Sequence, residues 1–250
     1  KNTTKLNKIL ISPENTSFRY LNDNLIIGKS DPSTDNFDSI IFAYRNIKEA
    51  VIPSFIRQIC SYAFAGCRSL KSISFSENSE LLSIGDYAFS LTSISSVLIP
   101  SHVNKIGQFA FYGCKNLKNV EFDENSELTI IDKKVFSWSS LVNITIPRNF
   151  TQIDEAAFCG CKLLKEVHFA DGSQMKSIEK EAFSWSSIES ISIPSLVESI
   201  GEQAFCQCRN LKTITFPENS KIISFEKMTF FSSSIEKISI PLNVEIIKEG

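Results

Sequence analysis

The dipeptide Ile-Pro recurs at Ile52-Pro53, Ile99-Pro100, Ile146-Pro147, Ile193-Pro194 and Ile240-Pro241, always 47 residues apart. Cys67, Cys114, Cys161 and Cys208 keep the same spacing. So do Glu77-Asn78-Ser79, Glu124-Asn125-Ser126, Asp171-Gly172-Ser173 and Glu218-Asn219-Ser220. Three independent ladders with one period mean that the chain is an array of one structural unit, which must bury its apolar face by stacking on its neighbours.

Each 47-residue unit divides in two. Phenylalanines at 64, 89, 111, 136, 158, 183, 205 and 230 are separated alternately by 25 and 22 residues, and an L-x-x-I-x-I/F pattern starts at 23- or 24-residue steps from Ile47 to Ile235. The unit is therefore a rung of about 23.5 residues in alternating short and long forms. Alternation such as Ile144-Thr145-Ile146 is the two-residue period of a strand with one face buried, and the proline that follows cannot donate to a ladder, so the strand stops there. The first fifty residues obey the same rule once an insertion is removed. Ile11 to Phe42 spans 31 positions where Phe75 to Phe89 spans 14, an excess of 17. The insert holds two β-prone runs around Asn22-Asp23, which predicts a hairpin.

The expected fold is a repeat solenoid of ten rungs, with all strand cores from Leu6 to Ile235 in one parallel sheet on a concave face. Residues 1–250 read as one domain, with 1–53 as divergent N-terminal rungs carrying the hairpin and 54–250 as regular repeats. Val103, Ile106, Phe111 and their equivalents should fill the interior. The chain opens on Lys1, and Ile240 to Gly250 begins a short-form rung without its Ala-Phe and Gly-Cys. The expectation is an excised piece of a longer protein, with further rungs or a cap and then an anchor.

At this level the residues are similar to a known family. The order Ile99-Pro100, Ile106-Gly107, Ala110-Phe111, Gly113-Cys114 resembles the BspA-like leucine-rich repeats of surface proteins in bacteria and in parasitic protists such as trichomonads. The resemblance covers residues 6–250. Cys60 in place of the glycine, and Val135 and Thr229 in place of the alanine, depart from the pattern. The resemblance implies a surface-exposed adhesin or antigen, at the cell surface or secreted, whose partner is a protein or glycoprotein. It does not specify the ligand.

Lysine and arginine total 26 against 28 aspartates and glutamates, a net charge of −2, which argues against nucleic acid or an anionic membrane as the main partner. No apolar run approaches the ~20 residues of a membrane span. Only His102 and His168 are available as histidines, neither near a nucleophile motif, and the phosphate-loop, dinucleotide, hydrolase and zinc-protease signatures are missing. The expectation is a non-enzyme without cofactor or metal.

The ladder cysteines read as small, buried, reduced fillers, because equivalent positions two rungs apart lie roughly 10 Å from each other, beyond the ~7 Å limit for a disulfide. Cys60 and Cys67 share a rung and are the exception. Free cysteines sit awkwardly with an extracellular location. Sequons at Asn2, Asn15, Asn143 and Asn149 are close to the number expected by chance.

Outward strand positions form two polar rows, and their centre supplies the candidate ligand-binding residues Asn119, Glu121, Asn143, Thr145, Glu166 and His168. An alternative is an aromatic strip two residues beyond the ladder phenylalanines, holding Tyr44, Trp138 and Trp185, which either packs between rungs or forms a binding hot spot. The competing functional class is an intracellular leucine-rich-repeat scaffold that binds a partner protein through the same sheet.

Overall fold

The computed structural model describes residues 9–249 and forms a β-solenoid of about nine turns without α-helix. Its front sheet consists of Glu49–Ile52, Ser72–Phe75, Ser96–Ile99, Asn119–Phe122, Asn143–Ile146, Glu166–Phe169, Ser190–Ser192 and Thr213–Thr215. In each strand the first and third residues are exposed and the second is buried, as the two-residue period requires. Three of the strands end at Ile52, Ile99 and Ile146, directly before prolines.

The ladder is not one uninterrupted sheet. Strands pair in full register only across the 23-residue step, as in Asn143↔Glu166 and Thr145↔His168. Across the 24-residue step one extra residue enters before the strand. Ser93 N donates to Leu70 O, a separation of 23, and Ser95 N to Lys71 O, a separation of 24. The slip acts as a bulge and breaks regular pairing there.

A second parallel ladder runs down the back. Gln58–Ile59, Ser83–Ile84 and Lys105–Ile106 pair in sequence, and so do Ile130–Ile131, Gln152–Ile153, Ser177–Ile178, Ser199–Ile200, Ser224–Phe225 and Ile246–Ile247. The single expected sheet is thus corrected to two ladders. Two-residue strands carry too little alternation to be read from sequence. The count of ten strand cores is corrected as well: residues 9–11 and 235–240 are not strands, and Leu6 lies outside the described residues.

The hairpin forms as expected, with Phe18–Asn22 antiparallel to Leu25–Gly28. It does not hang off the solenoid. Leu25–Gly28 pairs antiparallel with Ser39–Ala43, which opens the back ladder by pairing with Gln58–Ile59. Leu25 and Ile27 are buried, so the insertion covers the N-terminal end of the core.

Buried apolar residues form one cluster from Leu25 to Phe225. Its spine is the phenylalanine column, whose rings stack rung on rung with centroids from 5.0 Å apart, Phe64 to Phe89, to 5.9 Å apart, Phe205 to Phe230. Each buried ring contributes roughly 1.5–3 kcal/mol, and Val103, Ile106 and Phe111 occupy the interior as the repeat requires. A third backbone ladder follows the phenylalanines, with Phe64 N on Ala88 O and Phe111 N on Val135 O, both within 2.9 Å. Close approach of rungs explains the Ile-Gly marker: a Cβ at Gly85 would lie 2.5 Å from Ser61 N.

Candidate binding surface

The front sheet presents the six residues of the central rows on three successive rungs, Asn119 and Glu121, then Asn143 and Thr145, then Glu166 and His168, all exposed. The last two rungs are in register, which sets Asn143 beside Glu166 and Thr145 beside His168. Polar groups tie themselves together along the strands: Asn119 Nδ2 donates to Glu121 Oε1 at 3.0 Å, and His168 Nε2 lies 3.1 Å from Glu166 Oε2. Ser192 and Thr215 share a hydrogen bond of 2.8 Å across the next pair of strands. Short hydroxyl side chains keep this face low.

The alternation of forms sculpts one edge of the sheet. Nine positions separate Phe169 from Ile178, whereas seven separate Ile193 from Ile200. Long-form loops therefore flank the short-form turns, and at two of these turns a cleft lies between them. One cleft of about 530 Å³ lies over Pro194 and Ser195, between loops 170–173 and 217–219, with His168, Ser192 and Thr215 on its sheet side. Another of about 620 Å³ lies over Pro100 and Ser101, where Glu77, His102 and Asp123 line it. Apolar side chains and hydroxyl or carboxylate groups line both.

The aromatic strip splits. Tyr44 is buried at 7% exposure, and its hydroxyl accepts the amide of Ile9 at 2.8 Å, so it is a packing residue and not part of an exposed strip. Trp138 and Trp185 are 44% and 47% exposed. Both stand at positive φ, 59° and 61°, at the turn position that holds Gly66, Gly113 and Gly160 on alternate rungs. The indole of Trp138 rests on Gly160, where a Cβ would approach its Cδ2 to 2.7 Å.

The BspA type Leucine rich repeat region pattern matches in six copies, over residues 35–165 and 129–250. The chain belongs to the BspA-type leucine-rich repeat family. The crystal structure of the pneumococcal vaccine antigen PcpA is similar in fold, with a TM-score of 0.61 and 22% identity over 83% of this chain and 55% of that one. A leucine-rich repeat protein from Bacteroides ovatus ATCC 8483 gives a TM-score of 0.55 and 20% identity, covering 84% of this chain and 78% of that one. This chain spans about half the length of the pneumococcal structure. No curated protein matches it in sequence.

In this BspA-type solenoid the Gly-Cys column acquires a polar explanation. The thiols of Cys114, Cys161 and Cys208 donate at 3.1 Å to the carbonyls of Phe89, Phe136 and Phe183 in the preceding rung. Burial pushes Cys161 up to about 12 and Cys114 and Cys208 up to about 11. Cys67 differs, with the Arg45 guanidinium 3.4 Å away and donating to its sulfur. Among the described residues no group of three His, Cys, Asp or Glu is placed to hold a metal ion.

One surface column escaped the sequence reading. Tyr62, Tyr87 and Phe109 stack in parallel with centroids 4.9 and 4.6 Å apart, and the Lys134 ammonium lies 5.6 Å from the Phe109 centroid. The signal was present, since each of these residues precedes a ladder phenylalanine by two.

Proposed function

We propose that this chain is the non-enzymatic ligand-binding solenoid of a cell-surface protein, an adhesin or surface antigen. It takes a protein or glycoprotein partner on the front sheet and its adjoining clefts. The observation that carries the reading is the exposed polar surface of Asn119, Glu121, Asn143, Thr145, Glu166 and His168, continuous through His168 with the cleft of about 530 Å³. Extended faces of stacked repeats serve as binding surfaces because each rung adds one row of side chains at a fixed spacing. The pneumococcal structure is that of a vaccine antigen, which supports a surface location for this chain.

A second reading is favoured by one observation. All seven cysteines are free, as in proteins of reducing compartments, which supports an intracellular scaffold using the same sheet.

Attachment of the purified chain to cultured epithelial cells and to matrix-coated plates tests the site. Glu121→Lys with Glu166→Lys, or Thr145→Trp with His168→Trp, should weaken attachment while circular dichroism stays unchanged. Normal attachment by these variants, with loss in a folded Trp138→Ala/Trp185→Ala chain, would move the site to the aromatic strip. Protease treatment of intact cells tests the location: a full-length protein cleaved only after lysis favours the scaffold.

A further inference from the structure

The overall charge of −2 conceals a segregation across the front sheet. Where each short-form rung leads into its strand it carries a cation directly after the ladder cysteine or its neighbour: Arg68, Lys115, Lys162 and Arg209. Three residues later a second cation follows, at Lys71, Lys118, Lys165 and Lys212. All eight are exposed, and among the described residues only Lys165 has an acidic partner, Glu189 at 3.1 Å. The opposite edge, where the long-form loops leave the strands, carries Glu77, Glu80, Asp123, Glu124, Asp171 and Glu218.

Between the cationic rungs lie the apolar residues of the strip. A cleft of about 290 Å³ is lined together by Arg68, Leu91, Ser93 and Lys115, which places the apolar side chain between two cations. One unit further on, Trp138 takes the place of Leu91, and the Lys162 ammonium lies 5.6 Å from its ring centroid. Trp185 follows between Lys162 and Arg209. The backbone of each apolar rung is pinned to its cationic neighbour by a serine, with Ser93, Ser140 and Ser187 donating to the carbonyls of Arg68, Lys115 and Lys162 at 2.6–2.7 Å. The backbone that carries these side chains is thereby held in place, which reduces the ordering that binding must impose.

We propose that this edge binds a linear sulfated glycan. Lys115, Lys162 and Arg209, with the lysines three residues on, take the sulfates, and Trp138 and Trp185 take the apolar faces of sugar rings between them. The spacing selects this ligand. Stacked rings set successive rungs about 5 Å apart, so cation pairs recur every two rungs, about 10 Å. That is the scale of a disaccharide, the unit in which a sulfated glycan repeats its acid groups. It is too sparse for a nucleic-acid duplex, which carries one phosphate per ~1.7 Å of axis and would also meet the acidic loops.

The site lies beside the front sheet, so glycan binding by the purified chain stands apart from whether that sheet takes a protein. The probe is a fluorescein-labelled heparin dodecasaccharide, followed by fluorescence anisotropy at physiological ionic strength. Saturable binding that weakens as salt rises is expected. Lys115→Glu/Lys162→Glu/Arg209→Glu should lower affinity about ten-fold or more. Lys105→Glu/Lys176→Glu/Lys221→Glu, an identical charge change away from this edge, should cost less than about three-fold. Trp138→Ala/Trp185→Ala should weaken binding several-fold, with the fold checked by circular dichroism. If the glutamate triple fails to fold, the corresponding glutamine triple replaces it. Equal losses from both glutamate triples would reduce the effect to bulk charge and overturn the site. Equal affinity for heparosan, the unsulfated backbone that keeps its carboxylates, overturns sulfate recognition and with it the proposal. Tighter binding of a thymidine oligonucleotide than of heparin transfers the edge to nucleic acid and overturns the proposal.

Discussion

The sulfur of Cys161 lies 3.3 Å from the hydroxyl oxygen of Ser139 in the preceding rung, and the pair recurs as Cys114 with Thr92 and Cys208 with Ser186. With its proton donated to the Phe136 carbonyl, the thiol leaves its sulfur to accept from the serine. Two buried polar groups satisfy each other, and among the described residues no buried side-chain nitrogen or oxygen lacks a partner.

The thiol column should make stability fall with alkalinity. An unfolded thiol loses its proton near its ordinary value of 9.0, whereas folded Cys161 holds it to about 12. Across that window the unfolded chain binds fewer protons, so stability declines as pH rises through it and is flat below. Thermal unfolding from pH 8 to 11 should show the decline, and Cys161→Ala should make it shallower, since Cys114 and Cys208 contribute the same way. In native protein at pH 8 these thiols should resist Ellman's reagent until denaturant is added.

Gly160→Ala should destabilise by about 1–2 kcal/mol from its left-handed backbone alone, φ being +73°. More is lost as the new methyl displaces the Trp138 indole. Adding Trp138→Ala should recover that second part. A double-mutant cycle read by urea unfolding, with indole fluorescence reporting the displacement, measures the coupling.

Phe158→Ala, in the middle of the stacked column, should cost about 3–5 kcal/mol. Phe230→Ala should cost markedly less, because Phe230 is only partly buried. In a quasi-one-dimensional fold the central loss also uncouples the two halves, so its urea transition should broaden or split. A single sharp transition with equal midpoints for both variants would contradict the stacking account.

Tyr87 sits between Tyr62 and Phe109, and partial burial with the neighbouring Tyr62 and Asp86 raises its phenol above the ordinary value of 10.0. In a spectrophotometric titration Tyr87→Phe should remove a late-titrating tyrosine and leave stability nearly unchanged, since the stacked ring remains. Tyr87→Ser should cost about 0.5–1.5 kcal/mol through the lost stacking.

The sequence by itself determined the period, the columns of the core, the proline that closes alternate strands and the glycine that admits a neighbouring rung. These are properties of one unit repeated, and the two-residue and 23.5-residue periods report them directly. The candidate rows were equally legible, since Thr145 and His168 face solvent by strand alternation alone. Tertiary structure decided the rest. Whether front strands pair fully depends on a one-residue slip between rungs, visible only once Ser93 and Ser95 find carbonyls separated from them by different distances along the chain. The back ladder arises because stacking aligns Ile153 with Ile178, although two residues have no propensity of their own to form a strand. Tyr44 and Trp138 occupy equivalent repeat positions, yet one is buried, with its ring against Phe42 and its hydroxyl bonded to Ile9, while the other stays open, because burial is set by the surroundings and not by the residue itself.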